Sequence, residues 1–313
     1  MEIREILSLT KLAACGSILE TAKQCNLSSG AIHKHLKSLE NEFGAQLYEK
    51  SGGLLHLTKA GELVLPFLRE ALAQKEAAAS ALADWQRAPH GLVRIGAGPA
   101  FGNHVLPGIL AAFRLRYPDV QFYVETGHGN HLVQSLVDGT LDLAFDIGGS
   151  FAADQQLTAA AAWHAPLGFI TGTGDTPSHC GLNDLERRPF ILFHPGSRID
   201  ELIQSYFNAH RFRPQVVMRS DSAEAIKAMV ESGLGVAMLF LWSAHDELRS
   251  ARLRQISVID KPPLISSLSL IMRRMIYVPK AISAFVDTVR PMRWDHLIPD
   301  THRSQDHGLI QSW

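Results

Sequence analysis

The sequence predicts an α/β protein in three parts: a small helical module closed by a hairpin, one long helix, and a larger domain of alternating strands and helices. Three observations carry this reading. Residues 1–58 are short helical segments separated by cap signals. Residues 67–88 contain neither Gly nor Pro and are dominated by Ala. From residue 89 onward, apolar strand-like runs alternate with amphipathic helical runs, the order that builds parallel strands with right-handed crossovers.

With 313 residues, 46% of them apolar, the chain has enough material for more than one hydrophobic core. Its formal net charge is -1, so no global field draws it to nucleic acid or membrane, and DNA binding must rest on a local patch. Cys15, Cys25 and Cys180 are too few and too scattered for a disulfide framework or a zinc site, which fits a reducing compartment. The first residues mix charges without a long apolar run, and no run of about 18 apolar residues occurs, so a cytoplasmic protein with no membrane partner is expected. His296, His302 and His307 lie in a polar tail, residues 294–313, at spacings that match no metal site.

In the first module, residues 3–14 read as a helix stopped by Gly16. Ser17 and Glu20 have the spacing of a capping box for a second helix reaching residue 24. Asn26-Leu27-Ser28 is the turn, and Ser28 caps a third helix to residue 42, with Ala31, Ile32, Leu36 and Leu39 on its apolar side. Two short helices joined by a tight turn form a helix-turn-helix, whose second helix places its N-terminal residues against base edges in the major groove. Those residues are Ser28, Ser29, Gly30, Ala31, His33, Lys34 and Lys37. Residues 1–60 hold seven Lys or Arg against six Glu, a net of only +1, so charge alone describes a solvated face. Position decides otherwise: the densest basic run, 33–37, lies on the helix that should meet DNA. Residues 47–58 then form two short strand-like runs around Ser51-Gly52-Gly53. This hairpin is a wing, with Lys50 and His56 beside phosphates or the minor groove, and Thr58 caps the next helix.

Taken together, residues 1–88 resemble the DNA-binding module of LysR-type transcriptional regulators. The resemblance rests on Gly16-Ser17, Ala22, Leu27-Ser28, Ala31-Ile32, Leu36, Leu39-Glu40, Phe43-Gly44, 47–50 and 57–61. Two departures fall on the recognition helix. Ser29-Gly30 stands where the family usually has Gln-Pro, and His33-Lys34 where it usually has Ser-Arg. The docking mode carries over; the operator preference need not.

The resemblance implies a winged helix-turn-helix (residues 1–58), a linker and dimerisation helix (59–88) and a two-lobed sensor domain (89–293) similar to periplasmic binding proteins of type 2. Lobe I is expected at about 91–160 and 266–293, lobe II at about 161–265. In the linker, Leu65, Leu68, Leu72, Lys75, Ala79 and Leu82 recur at alternating spacings of three and four, an a/d seam. The implied partners are double-stranded DNA with a dyad-symmetric operator, a small-molecule effector, a second copy of the chain in a homodimer or homotetramer, and RNA polymerase if the protein activates. No cofactor, no metal and no catalytic residue is expected.

In the sensor, ligands of open α/β sheets bind beyond the carboxyl ends of strands. Four such ends are Gly98-Pro99-Ala100-Phe101, Thr126 with His128, His194 with Ser197, and Ser220-Asp221. Many family members carry a Ser-Pro-Thr-like segment where this chain has Gly98-Pro99-Ala100. Without those two hydroxyls, the site favours a ligand with an apolar body beside Phe101, held in its polar parts by backbone N–H groups, His128, His194 and Ser220. Gly96-Ala97-Gly98 begins like a dinucleotide fingerprint, but Phe101 stands at the third glycine. A solute-binding module or an enzyme carrying an appended DNA-binding domain is the alternative reading.

Overall fold

The structure, a computed structural model, describes residues 1–51, 54–84, 88–149, 151–152, 154–174 and 177–293. The Gly52-Gly53 turn, the last residues of the expected linker (85–87) and the tail 294–313 lie outside the described residues. The chain divides into two compact units, Met1–Arg87 with Met275–Pro279, and Ala88–Arg274 with Lys280–Trp313.

The first unit contains α1 (Ile3–Cys15), α2 (Ile18–Cys25), α3 (Ser29–Phe43), the hairpin β1 (Tyr48–Ser51) and β2 (Leu54–Leu57), and α4 (Lys59–Asp84). Gly16 ends α1 with φ 63°, a conformation glycine adopts without strain, and its carbonyl accepts from Leu55 of the hairpin. Ser17 Oγ accepts from the Glu20 N–H, which is half of the expected capping box; the Glu20 carboxylate stands 3.7 Å from Lys23 instead. Ile6, Leu9, Leu12, Ile32, Leu36, Leu39 and Leu47 close one core, and α4 adds Leu68 to it. Thr58 Oγ1 caps α4 at Gly61 N–H, where a Cβ would lie 2.1 Å from the Leu47 carbonyl oxygen.

The first half of the expected seam of α4 is turned into the unit, while its second half, Lys75, Ala79 and Leu82, is exposed. Leu65 and Leu68 are 7% and 3% exposed, and Leu72 packs on the same core, so these leucines are consumed within the unit. Leu63, Phe67 and Leu82, 70%, 72% and 73% exposed, form the uncovered apolar stripe. Met275–Pro279, expected in lobe I, belongs with this unit, and Tyr277 Oη donates to Asp84 at 2.8 Å.

The second unit runs β3 (Gly91–Ala97), α5 (Pro99–His104), α6 (Leu106–Arg116), β4 (Val120–Thr126), α7 (Gly129–Val137), β5 (Leu143–Ile147) and β6 (Leu157–Thr171). It continues with β7 (His179–Cys180), β8 (Pro189–Phe193), α8 (Arg198–Ala209), β9 (Gln215–Ser220), α9 (Ala223–Glu231) and β10 (Val236–Phe240). The last elements are α10 (His245–Arg249), β11 (Arg254–Val258), β12 (Leu264–Arg273) and α11 (Lys280–Val289). The strand order is β4-β3-β5-β12-β6-β10-β8-β9, with β11 and β7 attached beside β6. β3, β4 and β5 pair in parallel, as do β10, β8 and β9. Each set is one lobe with its own aromatic core, Phe113-Phe122-Phe285 in the first and Phe169-Phe190-Phe207-Phe212 in the second.

The lobes are joined by β6 and β12, which pair antiparallel from Leu157↔Arg273 to Leu167↔Leu264 and so pass through both. The first half of β6 carries little strand signal of its own, because Ala159–Ala162 has weak strand propensity and Pro166 follows. Gly98-Pro99-Ala100-Phe101, read from the sequence as a strand end, is partly helical: Pro99 opens a short helix there.

Candidate nucleic-acid interface and interlobe cleft

On α3, Ser28 Oγ accepts from the Ala31 N–H at 3.2 Å, so this hydroxyl is spent on the cap. Gly30, His33, Lys34 and Lys37 are exposed, Ser29 and Ala31 half-buried, and Ile32, Leu36 and Leu39 form the opposite, buried side. The five positions from Ser29 to Lys34 that reach solvent therefore share the open side of a capped helix. His35 does not join them. Its Nδ1 lies 2.8 Å from Ser8 Oγ of α1, and Ser8 is fully buried, so His35 ties the recognition helix to the first helix. Lys37 Nζ stands 3.4 Å from Glu40 Oε2. Glu40, itself 8% exposed, accepts the Leu47 N–H through its other oxygen at 2.9 Å and thereby fixes the entry to the hairpin. The reading of the sequence quoted Glu40 only as part of a family pattern.

Lys50 and His56 are both exposed, but the hairpin register pairs Lys50 with Leu55 and His56 with Glu49. Directly paired residues share a face, so these two leave the hairpin on opposite faces. Leu55 packs on the core, and His56 is on the outer face.

In the sensor, the predicted residues lie at the carboxyl ends of β3, β4, β8 and β9, Pro99, Ala100 and Phe101 in the first turn of α5 and the others at strand ends or in the loops after them. Thr126, His128, His194 and Asp221 are exposed. The two serines are committed locally: Ser197 Oγ accepts from Asp200 N–H and Ser220 Oγ from Ser222 N–H, each at 3.2 Å. The β8 and β9 ends are tied together by His194 N–H donating to the Ser220 carbonyl at 2.8 Å. Arg219 reinforces that end, donating to the Phe193 carbonyl and to the buried Asp200 carboxylate. Phe101 is the exception to exposure. Its ring is 1% exposed, 4.3 Å from Phe145 and 5.5 Å edge-on from Trp242, so it is packing in the wall rather than at the surface of a cleft. A hollow of about 300 Å³ between α6 and α11, lined by Arg116, Tyr117 and Lys280, sits by the start of β3, at the other end of the strands.

Sequence reasoning missed the most buried charge of the sensor. Lys227 of α9 is 2% exposed, and its ammonium donates to the Ser243 carbonyl (2.7 Å) and Glu247 Oε1 (2.9 Å) and stands 3.1 Å from Glu224 Oε2. Burial pushes the Glu224 and Glu247 carboxyls up, but hydrogen bonds, to His104 and Lys227 for Glu224 and to Lys227 for Glu247, outweigh it and hold both below their ordinary value. A lysine on the apolar side of a helix, three residues after a glutamate, was the available signal.

Two family models match the chain: bacterial regulatory helix-turn-helix protein, lysR family, over residues 3–62, and LysR substrate binding domain over residues 86–293. The HTH-type transcriptional regulator YeiE of Escherichia coli K12 is 27% identical over 299 residues, covering 92% of this chain and 97% of that one. A probable RuBisCO transcriptional regulator of Gracilaria tenuistipitata var. liui is 31% identical over 281 residues, covering 86% and 89%. Among solved structures, a full-length OxyR variant from Pseudomonas aeruginosa matches with TM-score 0.75 at 21% identity, covering 93% of this chain and 95% of that one. Full-length CbnR in complex with its target DNA matches with TM-score 0.60 at 22% identity, covering 93% and 99%. At such identities the solved structures establish the shared fold. The family models together span nearly the whole described chain, and the chain belongs to the LysR family of DNA-binding transcriptional regulators with an effector-binding domain.

Proposed function

We propose that the protein acts in the cytoplasm as a homo-oligomeric regulator rather than as an enzyme, its DNA contact made by the N-terminal half of α3. The observation that carries this reading is the composition of the open side of that helix: Ser29, Gly30, His33, Lys34 and Lys37 face away from a core built by Ile32, Leu36 and Leu39. Lys34 supplies phosphate charge, while His56 on the outer face of the hairpin and Lys50 near its tip flank it. RNA polymerase is a further partner if the protein activates.

Two copies join through α4, by the stripe Leu63, Phe67 and Leu82. At 100° per residue these fall within a band about 100° wide, the width of one amphipathic face. A two-fold pair then reads an operator with dyad symmetry. The effector sits between the lobes, against Gly98-Pro99-Ala100, Thr126, His128, His194, Ser197, Ser220 and Asp221. Exposure of both histidines, one from each lobe, supports that placement.

The test is footprinting of the full-length protein on genomic DNA, followed by binding of Lys34→Ala to the protected site across a salt series. Dyad-symmetric protection and a weakened Lys34→Ala complex are expected. Unpatterned protection, with Lys34→Ala binding like wild type, overturns the assignment of α3.

A further inference from the structure

Opening the two lobes requires α5 to leave the second lobe, and the contact it makes there is built so that it can. Phe101 and His104 are three residues apart and so share one side of this helix. Phe101 meets Trp242, in the turn Leu241–Ala244, at 5.5 Å. His104 Nε2 lies 2.5 Å from Glu224 Oε1 and 3.3 Å from Lys227 Nζ, both on α9.

Proton accounting defines the polar contact. An ammonium has three N–H donors: two of Lys227's go to the Ser243 carbonyl and Glu247, and the third lies within reach of both Glu224 Oε2, at 3.1 Å, and His104 Nε2, at 3.3 Å. The state of the ring decides which of the two takes it. Two acceptors cannot approach to 2.5 Å without a hydrogen between them, so the proton sits on Nε2 and the ring donates to Glu224. With Nε2 a donor, the third Lys227 N–H is left to Glu224 Oε2, so when α5 departs Lys227 keeps all three partners and Glu224 keeps one. No buried charge is stranded, which is the condition for an ionic contact to break without unfolding its surroundings. The other side of the contact, half of the Glu224 side chain, is open to water and can rehydrate.

We propose that His104 and Glu224 form a releasable clasp between the lobes, seated on the permanent Lys227-Glu247-Ser243 cluster, and that the clasp sets the balance between closed and open sensor. The proposal rests on the two-lobed sensor but not on where the effector binds. Its residues are positioning residues: the clasp holds α5, which begins with Pro99-Ala100 directly after Gly98, against lobe II.

Amide hydrogen exchange of the full-length protein, without any ligand, tests this. In His104→Ala and in Glu224→Ala, exchange in Pro99–His104 and in Leu241–Ala244 should accelerate about three- to tenfold, while α1–α3, α6 and α11 exchange as in wild type. The double variant should be no faster than the faster single one, because each removes the same contact. His104→Gln restores a donor near the Nε2 position and should return both segments toward wild-type exchange. Unchanged exchange in both alanine variants overturns the clasp. So does equal acceleration across α6 and α11, which marks unfolding of a lobe rather than release between lobes. Effector titration plays no part in these measurements, so a wrong effector site leaves their outcome intact.

Discussion

Glu40 sets the position of the wing against the recognition helix with one carboxylate: Oε1 accepts the Leu47 N–H, and Oε2 faces Lys37. Removing the acceptor strands a buried N–H. Glu40→Ala should lower stability by about 1–3 kcal/mol in urea unfolding, and Glu40→Gln, which keeps an acceptor, by less. Equal stability of Glu40→Ala and wild type would dismiss this role. Lys34→Ala at the operator should reduce the slope of log K against log salt by about one unit, and an unchanged slope removes Lys34 from the phosphates. The buried lysine has its own signature. Glu247 titrates below the ordinary carboxyl value of 4.5 in the folded chain, so its contribution is complete above that pH and is lost as pH falls beneath it. Lys227→Met removes the partner responsible. The variant should be less stable at pH 7, and its stability should fall less steeply between pH 5 and 3.5 than that of wild type; parallel curves would refute the pairing. The links that residue type hides best are long in sequence. Ser8 and His35 are 27 residues apart, and Lys227 and Glu247 are 20 apart, so nothing near His35 in the sequence shows that the fold turns it toward α1 and away from the basic run 33–37 around it.

At the scale of elements, cap residues and periodicity carried most of the information. Gly16, Ser17, Asn26 and Ser28 fix the ends of three helices by local backbone chemistry, and the structure places those ends within a residue or two of the reading. What periodicity did not settle was which apolar stripe of α4 faces where. A helix with leucines on two sides offers two seams, and only the core of the first unit, which takes Leu68 and packs Leu72, decides between them. The consequence is a reversal that sedimentation can check. Leu63→Asp with Phe67→Asp should yield folded monomers, because two carboxylates on the exposed stripe oppose burial in a partner. Leu68→Ala should leave assembly intact and cost about 2–5 kcal/mol of unfolding free energy as a core truncation. Dimers that persist in the double Asp variant would move the interface off α4. The β6 strand shows the complementary failure. Its first half is Ala-rich, so its strand identity comes from pairing along β12 rather than from its own side chains.

For the whole molecule, the alternation of strands and helices announced two α/β lobes, but not the continuous pair β6 and β12 that runs through both. That architecture bears directly on the effector. His128 follows β4 in the first lobe and His194 follows β8 in the second, both exposed at the carboxyl ends of their strands. A ligand lodged in one lobe alone would need only one of them. A ligand that draws the lobes together must engage both, since its affinity then includes contacts from each side. A hydrogen bond to a charged ligand group contributes about 1.5–3 kcal/mol, so His128→Ala and His194→Ala should each raise the dissociation constant at least about tenfold. The measurement is calorimetric titration with a compound first identified by its stabilisation of the full-length protein against heat. Because the two residues lie on separate lobes, their effects should be coupled through closure: once one contact is gone, the second substitution should cost less than it does alone. Additive losses would describe a preformed site without closure. Loss in only one variant would place the ligand on that lobe, and loss in neither would move the effector away from these strand ends altogether.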